Sequence, residues 1–342
     1  MNDALIQTFH SLFIAFVISI LFAPLMIRYL YRFNQVAAHK KTKLGGGIEE
    51  DNTLYLRIMN VSGKNGIPNM GGIMVWVVVP FTILLTLDLT PLIVVLIWSF
   101  VLFGAWGFLD VLFTNMIKNN PDLKTIQERF GVRLLRFSIA VLINIVITYM
   151  LWNSGVLKDL SLGMISISFS LVMVPVLAIL GQFAIYASEL TDGLDGLMIG
   201  IFGIIYTALG SMLLIQGKYE LLPVIGIIIG VILVDLYFNI NPARFYNGGP
   251  SAMPLGLVAF LIGLATNNLI PYFVASSITW VILASSMIQI ISMRFFKRRV
   301  FKMAPLHHHF QTIGWPETKV TMRFWLVTMV FSVIGIYLSI VL

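Results

Sequence analysis

The sequence predicts an all-α, polytopic integral membrane protein with about ten transmembrane helices. Three observations predict this class. Apolar residues form 58% of the 342 residues and charged residues only 11%, whereas soluble domains carry about 45–50% and about 25% respectively. Apolar stretches long enough to cross a bilayer recur along the chain, and the basic residues lie almost entirely on one side of them.

The apolar windows locate the helices. A hydrocarbon core is crossed by roughly 20 apolar residues per helix. Windows of this kind run over about 10–30, 70–88, 91–110, 133–152, 166–188, 195–215, 221–239, 252–267, 269–293 and 322–342. The first is not a cleavable signal, because a basic loop rather than a small-residue cleavage site follows Tyr31. Gly, Pro or Asn interrupt the seventh and eighth windows, which leaves half-helices open there.

The basic residues give the orientation. Of the 22 Lys and Arg residues, 20 lie on one side of the predicted membrane, and only Lys158 and Lys218 lie on the opposite side. The positive-inside rule therefore puts both termini outside and the longer loops in the cytoplasm. These loops cover about 31–69, 111–132, 188–195, 239–252 and 294–321. Since no repeat or linker divides the chain, we predict a single membrane domain over 1–342.

The remaining composition excludes several function classes. There is no cysteine, which excludes a disulfide scaffold, thiolate zinc and an iron–sulfur cluster. The net charge of +7 reports membrane orientation in such a chain, so we expect the lipid bilayer and no nucleic acid as a partner. Any metal must be bound by oxygen or imidazole groups.

Polar residues collect at the cytoplasmic ends of the predicted helices. Asp110 ends the third helix, and Asp235 and Asn239 stand four apart, on one face of the seventh. The junction of the fifth and sixth helices holds Glu189, Asp192 and Asp195, and the last cytoplasmic loop holds His307, His308 and His309. Because a polar residue in a span is unfavourable, convergence of these segments at one surface predicts a site.

The donor set limits the chemistry. Carboxylates and amides without thiolates favour Mg²⁺, which typically takes one or two protein carboxylates plus substrate phosphate oxygens. Asp192 and Asp195 project to one side of an incipient helical turn, and two of the three histidines can face a diphosphate or move protons. The sequence thus predicts magnesium-dependent phosphoryl transfer at the inner membrane face.

Each feature also has a simpler explanation. An Asp at a helix end can be a solvated cap, and three adjacent histidines can be a surface tract. The basic cluster from Arg294 to Arg299 is most simply an orientation and lipid-headgroup signal. Asp235 can bond to a neighbouring helix or to Asn239.

With these motifs, the chain resembles the phospho-N-acetylmuramoyl-pentapeptide-transferase (MraY) family, within the superfamily of polyprenyl-phosphate N-acetylhexosamine-1-phosphate transferases. The superfamily signature is the stretch Leu190-Thr191-Asp192-Gly193-Leu194-Asp195-Gly196-Leu197. The His-His-His-Phe segment with its following Gly-Trp is similar to the muramoyl-pentapeptide branch. The matching segments, which run in family order over nearly the whole chain, are 67–73, 107–110, 190–197, 238–243, 303–310 and 314–325.

The resemblance implies the first membrane step of peptidoglycan synthesis. Phospho-N-acetylmuramoyl-pentapeptide would pass from UDP-MurNAc-pentapeptide to undecaprenyl phosphate, giving lipid I and UMP, with Mg²⁺ required. It further implies a bacterial inner membrane protein with its active site on the cytoplasmic face. A direct displacement and a two-step route through an aspartyl intermediate stay open, as does a homodimer.

The family motifs also imply roles for particular residues. Asp192 would be the principal metal-linked carboxylate, Asp195 would contact the nucleotide end, and Asp110 would be the base for the lipid phosphate in a direct displacement. His307 and His308 would lie beside the diphosphate, and Tyr246 could stack on uracil. The further substrate-binding positions are Lys64, Asn69, Glu189, Asn239, Asn247 and His309.

The chain departs from the family at several of these positions. Val111 follows Asp110 where a second aspartate is expected, and Gly249 stands where an acid belongs in the turn after Pro242-Ala243. Glu189 replaces an asparagine, and Glu128 stands near an expected lysine. Either Glu189 or Asp235 supplies the missing negative charge, or turnover is weak or lost.

Other functions compatible with the sequence are transfer of GlcNAc-1-phosphate by a close relative, a transporter, and a non-catalytic relative that binds lipid or nucleotide. A transporter should carry charged groups near the middle of the bilayer. Here nearly all of them lie at one surface, which counts against that class.

Overall fold

The computed structural model of the protein describes residues 1–32, 67–119, 130–156, 159–162 and 165–342. The first half of these ranges forms the helices α1 (Asn2–Arg32), α2 (Ile73–Thr86), α3 (Pro91–Asn119) and α4 (Phe130–Asn153), then the strands β1 (Asp159–Leu162) and β2 (Ile165–Ser168). The second half forms α5 (Met173–Thr191), α6 (Leu197–Ile215), α7 (Leu222–Asn239), α8 (Gly249–Ala265), α9 (Leu269–Ala275), α10 (Ser277–Ile291), α11 (Leu306–Thr312) and α12 (Glu317–Val341).

The helices confirm an all-α, polytopic membrane protein. Within the described ranges, eight helical segments are long and apolar enough to cross a membrane. They lie in α1, α3, α4, α5, α6, α7, α10 and α12, where α7 begins with a 3₁₀ turn at Tyr219 and α10 continues as a π-helix to Phe296. The helices α2 and α8 are apolar but shorter.

Two predicted windows are interrupted. The window 166–188 begins with β2, and α5 starts only at Met173. The sequence Ile165-Ser166-Ile167-Ser168 alternates apolar and polar residues, the period of a strand, and pairs antiparallel with β1. The window 269–293 breaks between α9 and α10, where the Ser276 hydroxyl donates to the Tyr272 carbonyl at 2.7 Å. A serine hydroxyl that bonds to the carbonyl four residues earlier destabilises and bends a helix.

The third helix is longer than predicted, because α3 continues past Asp110 to Asn119. Asp110 therefore lies within the helix instead of ending it, and the predicted loop at 111–132 is shortened accordingly. The physical reason is an ion pair: Arg136 of α4 donates to the Asp110 carboxylate. A neutralised carboxylate can stay in a helix that the apolar residues Val111, Leu112 and Phe113 carry onward.

The core of the bundle surrounds α8. Every residue from Pro250 to Leu264 is buried, so this helix is apolar on all sides and packs against α3 and α5, among other neighbours. The Tyr206 hydroxyl of α6 donates to the Leu255 carbonyl at 2.8 Å in this core. The N-terminal half of α8 thus packs on the segments of α3 and α5 that carry Asp110 and Glu189.

Candidate functional site

A backbone pairing joins the segment before α2 to the turn before α8. The Tyr246 N–H donates to the Pro68 carbonyl at 2.9 Å, and the Gly71 N–H donates back to the Tyr246 carbonyl at 2.8 Å. The Gly72 N–H continues the pairing to the Asn247 carbonyl at 3.1 Å. The half-buried Asn69 lies inside this paired segment. The predicted residues Asn69, Tyr246 and Asn247 are therefore brought together.

The junction between α5 and α6 is a tight turn that presents Asp192. The Asp192 N–H donates to the Glu189 carbonyl at 3.2 Å, and the Gly193 N–H to the Thr191 carbonyl at 2.9 Å. The half-buried Asp192 carboxylate accepts the Gly248 N–H through Oδ2 at 2.7 Å. This bond connects the junction directly to the turn that carries Asn247.

The histidine segment packs against the same junction. His307 is fully buried, and a β carbon added at Gly193 would overlap its Nε2 atom. The rings of His307 and His308 are 4.3 Å apart between centroids, and His308 Nδ1 lies 2.7 Å from Gln311 Oε1. Glycine at position 193 is what lets the His307 ring reach the loop next to Asp192.

The His309 side chain makes its contacts away from Gly193. Its Nδ1 atom accepts the Lys302 N–H at 3.2 Å, and its ring contacts the Phe301 ring at 5.9 Å between centroids. The three histidines share the short helix α11, which the Ser285 hydroxyl of α10 holds by accepting the Leu306 N–H at 3.0 Å. The helical turn therefore separates His309 from the contact that His307 makes with Gly193.

Asp195 and Asn239 connect segments within the protein. The buried Asp195 carboxylate accepts from Asn241 Nδ2 at 2.9 Å and from the Ala243 N–H at 3.2 Å. The Asn239 amide accepts the Gly196 N–H at 3.0 Å and donates to the Phe245 carbonyl at 2.8 Å. These bonds hold together the backbone segments that form the site. A direct contact of either residue with substrate stays a prediction.

Asp110 and Glu189 lie at one cavity of about 240 Å³. Arg136 binds Asp110 there, and Glu189 lies within electrostatic range of both groups and of Asp192. The wall also carries Phe137 stacked on Tyr186, together with Trp106, Ala140, Gln182, Ile185 and Met253. The cavity combines a charged end with an aromatic and aliphatic wall.

Asp235 pairs with Asn247 rather than with Asn239. Both side chains are fully buried, and Asn247 Nδ2 donates to Asp235 Oδ1 at 2.8 Å. Asp235 Oδ2 and Asn247 Oδ1 have no hydrogen-bond partner within the described part of the chain. The four-residue spacing correctly placed Asp235 and Asn239 on one helix. The partner of Asp235 is instead Asn247, twelve residues further along the chain, in the turn before α8.

The turn position where the family expects an acid cannot easily hold one. Gly248 has φ +69° and ψ −168°, a conformation essentially restricted to glycine. A β carbon on Gly249 would lie 2.9 Å from the Gly107 α carbon of α3. Val111 approaches the same turn, with its Cγ2 atom 3.7 Å from a β carbon built on Gly248. At Gly249 the expected acid is thus replaced by close backbone packing.

Sequence reasoning missed several contributors to the site. In the sequence, Arg136 indicates only orientation, although a basic residue near a helix end on the same membrane side as Asp110 is a usable signal. Glu317 Oε1 accepts the Asp195 N–H at 2.7 Å and ties α12 to the junction. Lys64 and Glu128 lie outside the described residues.

The oxygen donors are compatible with Mg²⁺ only if a substrate contributes ligands. Within the described ranges, no group of three or more His, Asp or Glu side chains could hold a metal. Asp192 is half-buried and keeps one carboxylate oxygen on a backbone N–H. Mg²⁺ commonly takes one or two carboxylates, waters and substrate phosphates, and this donor set fits that use.

Comparisons with known proteins agree with this picture. A family model described as glycosyl transferase family 4 matches residues 93–267. A protein of Geobacillus sp. (strain WCH70) is 29% identical, with 96% of this chain and 97% of the relative covered. A protein of Bacillus subtilis (strain 168) is also 29% identical over the same shares, and one of Caldicellulosiruptor bescii is 28% identical over 97% of each chain. All three relatives are called phospho-N-acetylmuramoyl-pentapeptide-transferase.

Proposed function

We propose, since this chain belongs to glycosyl transferase family 4, that it transfers phospho-N-acetylmuramoyl-pentapeptide from UDP-MurNAc-pentapeptide to undecaprenyl phosphate, giving lipid I and UMP. The family and the names of the relatives support phosphosugar transfer in peptidoglycan synthesis. The observation that carries the proposal is the meeting of three distant segments, because Asp192 binds Gly248 while Gly193 packs on His307.

The donor diphosphate would lie between Asp192 and the histidines. His307 and His308 are adjacent imidazoles that can donate hydrogen bonds to phosphate oxygens. Asp192 would hold Mg²⁺ together with oxygens of the diphosphate, and the ion would stabilise the negative charge that develops during transfer. Tyr246, next to Asn247 on the paired turn, is the aromatic side chain for the uracil.

The acceptor phosphate would enter the cavity that Asp110 and Arg136 share. The Arg136 guanidinium is suited to binding a phosphate, and the aromatic wall is suited to the isoprenoid end of the lipid. An acceptor oxygen would form a bond to the phosphorus that carries the sugar. The bond from that phosphorus to the bridging oxygen would break, and UMP would leave with the electron pair.

We place this reaction at the cytoplasmic face of a bacterial inner membrane. The helices of the described ranges require a bilayer, and UDP-linked sugars are charged, water-soluble molecules. Since the basic loops mark the cytoplasmic side, the polar ends of α3 and α5 face the compartment in which such a nucleotide is made.

A second candidate is a relative that binds nucleotide and lipid without turnover. The specific observation favouring it is the loss of two expected acids, at Val111 and at Gly249. In that case the nucleotide would bind the purified protein while UMP release stays at background.

The deciding experiment measures UMP release by the purified protein in detergent. The assay supplies polyprenyl phosphate, MgCl₂ and either UDP-MurNAc-pentapeptide or UDP-GlcNAc. We expect release with the muramoyl substrate and its loss in Asp192→Asn. Release with UDP-GlcNAc alone would assign the other transferase, and full turnover by Asp192→Asn would refute the role of Asp192.

A further inference from the structure

Asp235 has no role in the reaction described above, although it is a fully buried carboxylate near the site. It belongs to α7 and lies one helical turn before Asn239. A buried carboxylate with an oxygen that lacks a donor is unfavourable for folding. Oδ2 of Asp235 is in that state within the described ranges, so added stability is a poor explanation for an acid at this position.

Within the described ranges, the hydrogen bond of the Asp235 side chain connects it to the candidate metal ligand. Asn247 Nδ2 donates to Asp235 Oδ1 at 2.8 Å. The next residue in the chain, Gly248, donates its N–H to Asp192 Oδ2 at 2.7 Å. Asp235 thus holds the side chain of Asn247, and the residue after Asn247 provides the N–H that binds Asp192.

The turn is also held through its backbone carbonyls. The Gly72 N–H binds the Asn247 carbonyl at 3.1 Å, and the Ala252 N–H binds the Gly248 carbonyl at 3.1 Å. These bonds fix where the chain passes. The side-chain amide of Asn247 adds a restraint on the rotation of the turn, and that restraint depends on Asp235.

We propose that Asp235 is a positioning residue which, through Asn247 and Gly248, orients the Asp192 carboxylate toward a divalent cation. This inference rests on the proposed function only in that Asp192 is the metal-linked carboxylate. The proposal explains why this chain, which has no acid in the turn before α8, has a buried carboxylate, Asp235, bonded to the Asn247 side chain of that turn. Groups that orient a metal ligand usually change metal affinity about 10- to 100-fold when they are removed.

The test measures thermal unfolding of the full-length protein in detergent as MgCl₂ is increased at constant ionic strength, with a fixed concentration of UDP present to supply phosphate oxygens. We expect saturable stabilisation of the wild type and none of Asp192→Asn. Asp235→Leu should raise the half-saturating Mg²⁺ concentration about tenfold or more. Asp235→Asn should stay close to the wild type, because an amide still accepts from Asn247 Nδ2 and can donate to Asn247 Oδ1.

Two further variants separate positioning from general damage. Tyr206→Phe removes a buried hydrogen bond to Leu255 elsewhere in the core, so it should lower the unfolding temperature without moving the Mg²⁺ half-saturation point. Asn247→Leu should reproduce the effect of Asp235→Leu, and the double variant should be no worse than either single one.

Three results would overturn the proposal. They are a wild type without Mg²⁺ stabilisation, an Asp235→Leu variant with the wild-type half-saturation point, and an Asp235→Asn variant as impaired as Asp235→Leu. The last result would assign the effect to charge instead of hydrogen bonding. Failure of the transferase function is distinguishable, since it would abolish UMP release while leaving the Mg²⁺ titrations of the variants unchanged.

Discussion

Gly249 lies directly against Gly107, so that the first turn of α8 and the middle of α3 touch through their backbones. A β carbon on Gly249 would lie 2.9 Å from the Gly107 α carbon, and one on Gly107 would overlap the Gly249 carbonyl carbon. Three residues after Gly107 comes Asp110, which lines the cavity. The contact therefore sets the distance between this cavity and the turn that binds Asp192.

Restoring an acid at this contact should damage the protein. We expect Gly249→Ala and Gly249→Asp to lower the free energy of unfolding by about 1–3 kcal/mol, because the two helices must separate. Neither should raise UMP release. Thermal unfolding and the UMP assay check this.

Gly210→Ala in α6 is the matched control for Gly249→Ala, since its nearest contact is the Cγ2 methyl group of Ile225 at 3.3 Å instead of a backbone atom. A Gly249→Asp variant that is as stable as the wild type would contradict the packing argument. Higher turnover in that variant would show that the missing acid is tolerated and useful.

Gly193→Ala should displace His307. The added methyl group would overlap Nε2 of the imidazole, so the ring must move away from the loop. We expect UMP release to fall by about 10²-fold or more, within the range for loss of a positioned acid–base group. Gly203→Ala, which meets only an Ile232 side chain at 3.2 Å, serves as control and should retain turnover. Equal activity of both variants would rule out a role for the His307 contact.

Removing Arg136 should affect the acceptor more than the donor. In Arg136→Gln the Asp110 carboxylate loses its cation, so we expect a higher KM for polyprenyl phosphate and an unchanged KM for the nucleotide sugar. The pair is partly exposed, and its coupling free energy should be about 1 kcal/mol or less. A double-mutant cycle with Asp110→Asn measures the coupling, and a change confined to the nucleotide KM would contradict the assignment of the cavity.

The main role of the Asn239 side chain should be to stabilise the fold. Its amide accepts from Gly196 and donates to Phe245, so Asn239→Leu leaves two buried backbone groups without partners. We expect a loss of about 1–3 kcal/mol in unfolding free energy. Thr207→Ala, which removes an exposed hydroxyl bond to the Gly203 carbonyl, should cost far less. If Asn239→Leu unfolds like the wild type, the side chain is not the connector described above.

The sequence predicted the helices well because each must carry a continuous apolar run to be stable in hydrocarbon. It did not predict the break at Ser276, where a hydroxyl competes for a backbone carbonyl inside an apolar window. It also missed β2, since averaging hydropathy over a long window hides a two-residue period.

Within the site, the sequence predicted which residues gather but not how they pair. Asp192 and His307 belong to recognisable motifs, whereas the partners of Asp110 and Asp235 depend on helix packing. Arg136 lies 26 residues from Asp110, and Asn247 lies 12 residues from Asp235. Each partner lies in a different element from its carboxylate, so no periodicity within one helix indicates these pairs.

The bond from Gly248 to Asp192 is donated by the main chain, from a backbone conformation essentially restricted to glycine. In an alignment column this bond would consequently appear as a glycine and not as an acid. A survey that ranks relatives by acids at this turn would discard the present chain. One that ranks them by the torsion angles of the turn would keep it.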